Sequence, residues 1–328
     1  MAGNPIDQML GLLSGYWYSQ CLYVMAELGI ADCLAAGSKS ANALAQETGC
    51  NADSLFRFLR ALASAGILRE VAPQHFALTP LSETLRSDHP DSLRSIALLG
   101  GEASHWVAWG NLLHSVRTGE TAFDAAHQKS FFDRLAENRD LAATFQNVME
   151  RLRDVDRSVV QTVDLSGLER IVDIGGGTGS FARQIAKTHP NKYVILFDRA
   201  DVLSLAPAVD RVTRVSGDFF ESVPAGCQAY FLKFVLHDWN DGRAAQILNN
   251  CSDAMAEAGR VFVVEVIVPD DATPSVAKTH DVNMLVLTGG RERTLDEYRT
   301  LFTQARLELV RAIPTPNGVS ILEARRSL

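Results

Sequence analysis

Apolar and polar positions follow two rhythms along this chain, and the change from one to the other divides it. Over residues 8–35, beginning QMLGLLSGYWYSQCLYVM, apolar side chains occupy nearly every face of a helix. A helix that is apolar all round is covered either by its own domain or by another chain. SANALAQETG and NADSLFRFLRALASAGIL predict two further helices, opened by the N-cap residues Ser40 and Asn51 or Asp53, the second closing at Gly66. REVAPQHFALTP alternates around Pro73-Gln74 and predicts a small hairpin. Helix, helix, hairpin is the outline of a winged helix. Residues 91–160 read as helical throughout, with SHWVAWGNLLHSV and FFDRLAENRDLAATFQNVMERLRDV as the main segments. There Trp106, Trp109, Phe131, Phe132 and Met149 serve either as core or as the lining of an apolar pocket for a flat ligand.

From residue 168 the rhythm changes to strands separated by helices. RIVDIGGGTG opens it, and SFARQIAKTHP, YVILFD, RVTRVSGD, AYFLKFV, DGRAAQILNNCSDAMAEAG and RVFVVEVIV follow. LELVRAIPTPNGVSILEAR closes the chain as a hairpin turning at Pro316-Asn317-Gly318. Such alternation predicts a parallel sheet covered on both faces, with ligands outside the carboxyl ends of its strands.

Composition narrows the classes. With 328 residues, 47% hydrophobic and 21% charged, the chain is long enough for two domains and is not a disordered one. A formal net charge of −8 argues against general affinity for nucleic acid or an anionic membrane. Within residues 1–100, nine Asp and Glu stand against six Lys and Arg, and the would-be recognition helix offers only Arg57 and Arg60, so a DNA-binding regulator is the weaker reading. Cys21, Cys33, Cys50, Cys227 and Cys251 form no CxxC pair and read as reduced thiols of a cytoplasmic protein. The N-terminal MAGNPIDQMLGLLSGYW shows no basic n-region and predicts no signal peptide, and no stretch is apolar enough for a membrane span.

Candidate chemistry gathers at strand ends. In VDIGGGTGSFARQIA, Gly175, Gly177 and Gly179 let the backbone turn tightly and a ligand come close to the helix N-terminus. The dinucleotide fingerprint asks for Gly or Ala at position 180, where Ser180 stands. Asp173 adds a carboxylate before the loop, which suits an ammonium or sulfonium better than a pyrophosphate. Asp198 ends the next strand, at the spacing from which an acid bonds ribose hydroxyls. Asp218 and Phe219 follow the third strand, for an adenine amino group and ring face. Each acid alone also reads as a helix cap. Together they point to an adenosine carrying positive charge. Lys233 inside an apolar strand, with His237, Asp238 and Trp239 at its end, needs partners or a ligand, because an unpaired buried charge is costly.

VDIGGGTG, SGDFF, LKFVLHDWND and NMLVLTGGRERT, in this order, resemble the class I S-adenosylmethionine-dependent O-methyltransferases of the plant phenolic and bacterial secondary-metabolite type. The resemblance covers nearly the whole chain. It implies an α/β architecture: a Rossmann-like, seven-stranded methyltransferase domain with an antiparallel last strand, behind an N-terminal, mainly α, winged-helix-like dimerisation domain. The implied domains are 1–100 for dimerisation, 101–160 as a helical connector lining the acceptor pocket, and 161–328 for S-adenosylmethionine binding and catalysis. By the same resemblance Asp173, Gly175, Gly177, Asp198, Asp218, Phe219, Lys233 and Trp239 hold the cofactor. Phe219 replaces the methionine common among plant members and keeps an apolar face for adenine. His237 is the implied general base, with Glu265 and Glu292 orienting it. Met149, Met284 and Leu287 are implied to line the acceptor pocket, with Trp106 and Trp109 helping to close it.

That chemistry is sound on its own terms. A phenol, with a pKa near ~10, is mostly protonated at neutral pH and a poor nucleophile. An imidazole in hydrogen-bond reach can take its proton, and a carboxylate on the other ring nitrogen fixes the tautomer. Direct attack needs no metal, and Asp270-Asp271 reads as a solvated turn. The expectation is therefore a homodimeric O-methyltransferase, paired through its N-terminal domain, that acts on a small hydroxylated acceptor and has no nucleic-acid or membrane partner. The rivals are C- or N-methylation, a non-methylating reaction on the same fold, and a catalytically silent dimer partner.

Overall fold

The computed structural model describes residues 4–327; residues 1–3 and 328, the outer ends of the first and last predicted domains, lie outside them. It divides into two compact units, Met1–Trp106 and Val107–Leu328. The division falls inside the helix Ala103–Gly110, and helices from there to Thr162 belong wholly or in part to the second unit.

In the first unit a helix Pro5–Glu27 has Asn4 as its cap and Pro5 at its first position. Only Met25 and Ala26 of this helix are buried, while Ile6, Leu12, Leu13 and Trp17 stand exposed, Leu12 by 77%. The all-apolar helix thus presents most of its surface outward from its own chain. Ser40 caps the helix Ala41–Thr48 by accepting from the Ala43 N–H, and Asn51, not Asp53, caps Ala52–Ser64. Strands β1 (Lys39–Ser40), β2 (Leu68–Ala72) and β3 (His75–Leu78) form an antiparallel sheet in the order β1-β3-β2. Ile30, Leu34, Leu44, Leu55, Leu59, Leu62 and Phe76 fill the core between helices and sheet. Arg60 lies over the Phe56 ring, 5.5 Å from its centroid.

The second unit is built on seven strands: β4 (Arg170–Ile174), β5 (Tyr193–Asp198), β6 (Val212–Ser216), β7 (Ala229–Lys233), β8 (Arg260–Glu265), β9 (Leu307–Pro314) and β10 (Ser320–Arg326). Their order is β6-β5-β4-β7-β8-β10-β9, parallel except that β10 runs antiparallel to both neighbours. The central strands β4, β5, β7 and β8 read as largely apolar runs because both faces are covered. Val172, Ile174, Tyr230, Leu232, Val261 and Val263 face the helices Asp241–Ala254 and Leu295–Gln304. Ile171, Val194, Leu196, Phe231, Phe262 and Val264 face Arg153–Thr162 and Ser180–Thr188. Strand order reverses between β4 and β7, and a crevice opens at the carboxyl ends of strands flanking such a switch. The glycine loop follows β4 and the His237 turn follows β7, so topology alone delivers both to one place.

Candidate active site

At the end of β7 the chain leaves the sheet through Phe234, whose φ of 53° is left-handed and costs a non-glycine residue about 1 kcal/mol or more. A 3-10 turn, Leu236–Asp238, follows. Glu265, fully buried at the end of β8, holds this departure in place: its Oε1 accepts the backbone N–H groups of Val235 (3.1 Å), Leu236 (3.0 Å) and His237 (3.4 Å). The GGRERT segment closes from the other side. The Arg291 N–H donates to the His237 carbonyl at 2.8 Å, and a Cβ on Gly290 would fall 2.0 Å from that oxygen, so only glycine fits. Arg293, also fully buried, donates to the carbonyls of Leu236 (3.0 Å) and Trp239 (2.8 Å) and pairs with Asp241. HDW and GGRERT are two halves of one clamp.

Inside the clamp, His237 Nδ1 lies 2.8 Å from Glu292 Oε1. The acceptor is a carboxylate, so Nδ1 carries the proton and Nε2 is left for other work. Glu265 Oε2 is 3.6 Å from Nδ1, beyond a hydrogen bond. The two orienting acids expected from the sequence therefore differ in place: Glu292 meets the ring and Glu265 the backbone beneath it. Nε2 stands 3.9 Å from Asp238 Oδ1. Burial opposes charge on the imidazole, but Glu265, Asp238 and Glu292 outweigh it and push His237 up to about 10. Burial lifts Glu265 to about 7 and Asp238 to about 6, each against the pull of His237. Burial also works against the Glu292 charge, but the imidazoles of His237 and His280 bonded to it hold it down at about 2.

A cavity of about 710 Å³ lies over the strand switch. Asp173, Gly175, Gly177, Asp198, Asp218, Phe219, Lys233, Trp239 and Met149 border it, as does Asp238; His237, Glu265 and Glu292 do not. Trp109, Met284 and Leu287 lie away from its wall, Trp109 donating its indole N–H to Asn283 at 3.1 Å. Trp106 belongs to the first unit and packs near Tyr16, ring centroids 6.4 Å apart. Phe132, Phe145 and Gln146 from the preceding helices line the cavity instead, together with Arg139.

The wall is chemically lopsided. Eight carboxylates border it against four cationic side chains, which favours a ligand carrying positive charge. The left-handed Gly177 donates its N–H to Asp198 Oδ2 at 2.7 Å, while Asp198 Oδ1 accepts from Arg199, leaving outward lone pairs on both oxygens for hydroxyl donors. Trp239 stacks on Phe132 at 5.6 Å and meets Phe220 edge-on at 4.7 Å, with the Arg243 guanidinium 3.7 Å above Phe220. These flat faces beside Asp218 and Phe219 suit a nucleobase. An adenosine-bearing sulfonium fits this donor set and this charge.

Lys233 has a partner that sequence reasoning missed. Its Nζ is 3.1 Å from Asp156 Oδ1, and the other oxygen of Asp156 accepts the Ser180 hydroxyl at 2.6 Å. Asp156 is buried because it shares a helix face with Val155, Val159 and Val160; a charge on that apolar stripe was the available signal. Asp173 accepts the Ala182 N–H, and burial raises it to about 7 although Lys233 pulls the other way.

Comparison with known proteins follows the same outline. The O-methyltransferase domain family matches residues 109–307, and the O-methyltransferase dimerisation domain matches residues 10–88. A phenazine O-methyltransferase from Lysobacter antibioticus is 41% identical, over 97% of this chain and 95% of its own. The crystal structure of LaPhzM superposes with a TM-score of 0.93 at 40% identity, covering 99% of this chain and 100% of that one. The O-methyltransferase NcsB1 of neocarzinostatin biosynthesis, solved with S-adenosylmethionine and 2-hydroxy-5-methyl naphthoic acid, superposes at 0.85 with 31% identity, covering 94% of this chain and 96% of that one.

The ion pair beneath the cavity is open to test by urea unfolding. Asp156→Ala is expected to cost about 3 kcal/mol or more, since it strands a buried cation, and adding Lys233→Met should recover much of that loss. Losses that simply add would remove the pairing.

Proposed function

The chain belongs to the S-adenosylmethionine-dependent O-methyltransferases, and from that premise we propose that it methylates a hydroxyl of a small, flat, aromatic natural product with His237 as general base. The observation that carries the reading is the imidazole of His237, oriented by Glu292 at 2.8 Å in the turn whose next residues, Asp238 and Trp239, border an acidic cavity of about 710 Å³. When bound, S-adenosylmethionine supplies a methyl group on a positively charged sulfur, an electrophile that an oxygen attacks directly, without a metal. Asp198 is proposed to take the ribose hydroxyls and Asp218 the adenine amino group, with Phe219 and Trp239 on its faces. Asp173, Gly175, Gly177 and Lys233 surround the remainder. Lys233, anchored by Asp156, keeps N–H donors for a carboxylate.

The work left to the protein is to move one proton and to aim one oxygen. Nε2 of His237 accepts the hydroxyl proton while Nδ1–H stays on Glu292, whose charge stabilises the imidazolium formed. The carboxylates of Glu265, Asp238 and Glu292 raise the proton affinity of His237, which lessens the uphill cost of taking a proton from a phenol of pKa near ~10. Phe132, Phe145 and Met149 offer the apolar wall for an aromatic acceptor. Trp106, Trp109, Met284 and Leu287 remain proposed acceptor contacts on the strength of the resemblance.

The assembly proposed is a homodimer through the first unit, supported by the dimerisation-domain match and by the outward apolar face of the helix Pro5–Glu27. The functional division proposed along the chain is 1–100, 101–160 and 161–328. We infer no nucleic-acid partner, since Arg60 on the candidate recognition helix is engaged with Phe56 and the chain is acidic. A cytoplasmic setting is proposed from the five free thiols, and no helix among the described residues is long and apolar enough to cross a membrane.

Incubation with methyl-labelled S-adenosylmethionine and a panel of phenols, the added methyl located by mass spectrometry, tests the reading as a whole. His237→Ala should lose 10²–10⁴-fold in kcat with cofactor affinity kept; full turnover would sink the base. Asp198→Ala should instead weaken cofactor binding, and an unchanged Kd by calorimetry would contradict its role. Because the carboxylates raise the proton affinity of His237, its reactive neutral form grows as pH rises. The kcat/KM for the acceptor should therefore climb between roughly pH 6 and 9, where a profile that is flat or falling would count against the assignment.

A further inference from the structure

Glu292 does not serve His237 alone. The same oxygen, Oε1, that accepts from His237 Nδ1 at 2.8 Å also lies 2.7 Å from Nδ1 of His280, on the helix Val276–Leu287. The two rings sit 5.9 Å apart, centroid to centroid. Their environments differ sharply: His237 and Glu292 are buried, whereas the His280 side chain is 45% exposed. Glu292 Oε2 is buried and makes no hydrogen bond to any described residue. One carboxylate oxygen thus bears two imidazole donors, one facing the site and one facing solvent. Asp281, next to His280, fixes the geometry by accepting the Glu292 backbone N–H at 2.8 Å.

We propose that His280 is a positioning residue that shares Glu292 with His237 and so sets how readily His237 gives up its proton. The inference rests on the reading of His237 as the base. Two effects act in the same direction. A second N–H on Oε1 draws electron density from the bond to His237 and weakens it, and any positive charge on His280 repels the imidazolium across 5.9 Å. The other groups bearing on His237 are fixed in place: Asp238 on its own turn, Glu265 at the end of β8, and Arg293, whose guanidinium holds the carbonyls of Leu236 and Trp239. The Tyr298 hydroxyl lies in the same field, beside Glu265 and Glu292. Of the two groups that bond to Glu292 Oε1, His280 is the one open to solvent, and it touches the carboxylate that orients a ring solvent barely reaches.

The experiment is a titration of the full chain labelled with ¹³C-histidine and followed by NMR, the His237 signals assigned by their loss in His237→Ala. His280→Phe, which supplies neither charge nor donor, should raise the His237 midpoint by about half to one pH unit, a three- to tenfold tighter hold on the proton. His280→Gln, which can donate but carries no charge, should fall between the two. Turnover at pH 7 should drop in the same order and recover at higher pH. A midpoint unchanged or lowered in His280→Phe overturns the proposal, as does a loss of turnover equal at every pH. The midpoint is read without substrate, so it stands apart from the base assignment, which fails separately if His237→Ala retains full turnover.

Discussion

A carboxylate buried away from water must be surrounded by donors or give up its charge, and Glu265 meets that demand with the backbone of the turn that carries His237. Much else follows from this arrangement. Three successive amides can converge on one oxygen only if the chain turns abruptly as it leaves β7, and the left-handed Phe234 provides the turn. The ring of His237 is then committed to one direction. GGRERT completes the enclosure, its buried Arg293 donating to the Leu236 and Trp239 carbonyls of the same turn. A fixed imidazole is thus a by-product of satisfying buried backbone and buried charge together.

Charge is organised in two layers around the strand switch. The cavity wall is acidic overall, while the one lysine inserted into the sheet is held from behind by Asp156. That pairing lets Lys233 remain a cation at the cavity without adding an isolated buried charge, and it ties the helix Arg153–Thr162 to β7. The same pair joins the helical segment before the sheet to the floor of the cavity, one helix beyond Arg139–Glu150, which carries Gln146 and Met149 to the cavity wall.

Much of this was legible in the sequence, and the physical reason is periodicity. Strands β4, β5, β7 and β8 announced themselves as largely apolar runs, and the final hairpin by its Pro-Asn-Gly turn. Asp198, Asp218 and Phe219 could be expected at the cavity wall, where they stand, because they sit at or just after strand ends, where chain order fixes position in space. Less could be read where contacts join distant segments. Asp156 hides in a helix that also bears Asp154, Arg153 and Arg157, and only its register against Val159 and Val160 marks it as inward. The differing places of Glu265 and Glu292 depend on which oxygen reaches which nitrogen, which spacing does not determine. The aromatic lining fared similarly: Phe132 borders the cavity and Trp109 does not, though both read alike as apolar helix residues.

On the proposed reading of His237 as a base, three flanking carboxylates look overbuilt, since each raises the affinity for the proton it must later be free to accept. The difficulty eases when the acceptor is weakly acidic. An ordinary imidazole, near ~6.5, is too weak a base to hold a phenolic proton, and transfer to it runs uphill by several pH units. Stronger basicity lowers that hill and moves the cost to the free protein, which has to start with an empty nitrogen. An acidic cavity that receives a cation is the natural counterweight: positive charge brought near the imidazolium favours release of its proton. On the proposed reading, Glu265, Asp238 and Glu292 raise the proton affinity of His237 and a cation in the cavity offsets part of that rise, so the nitrogen empties where the charged ligand is bound.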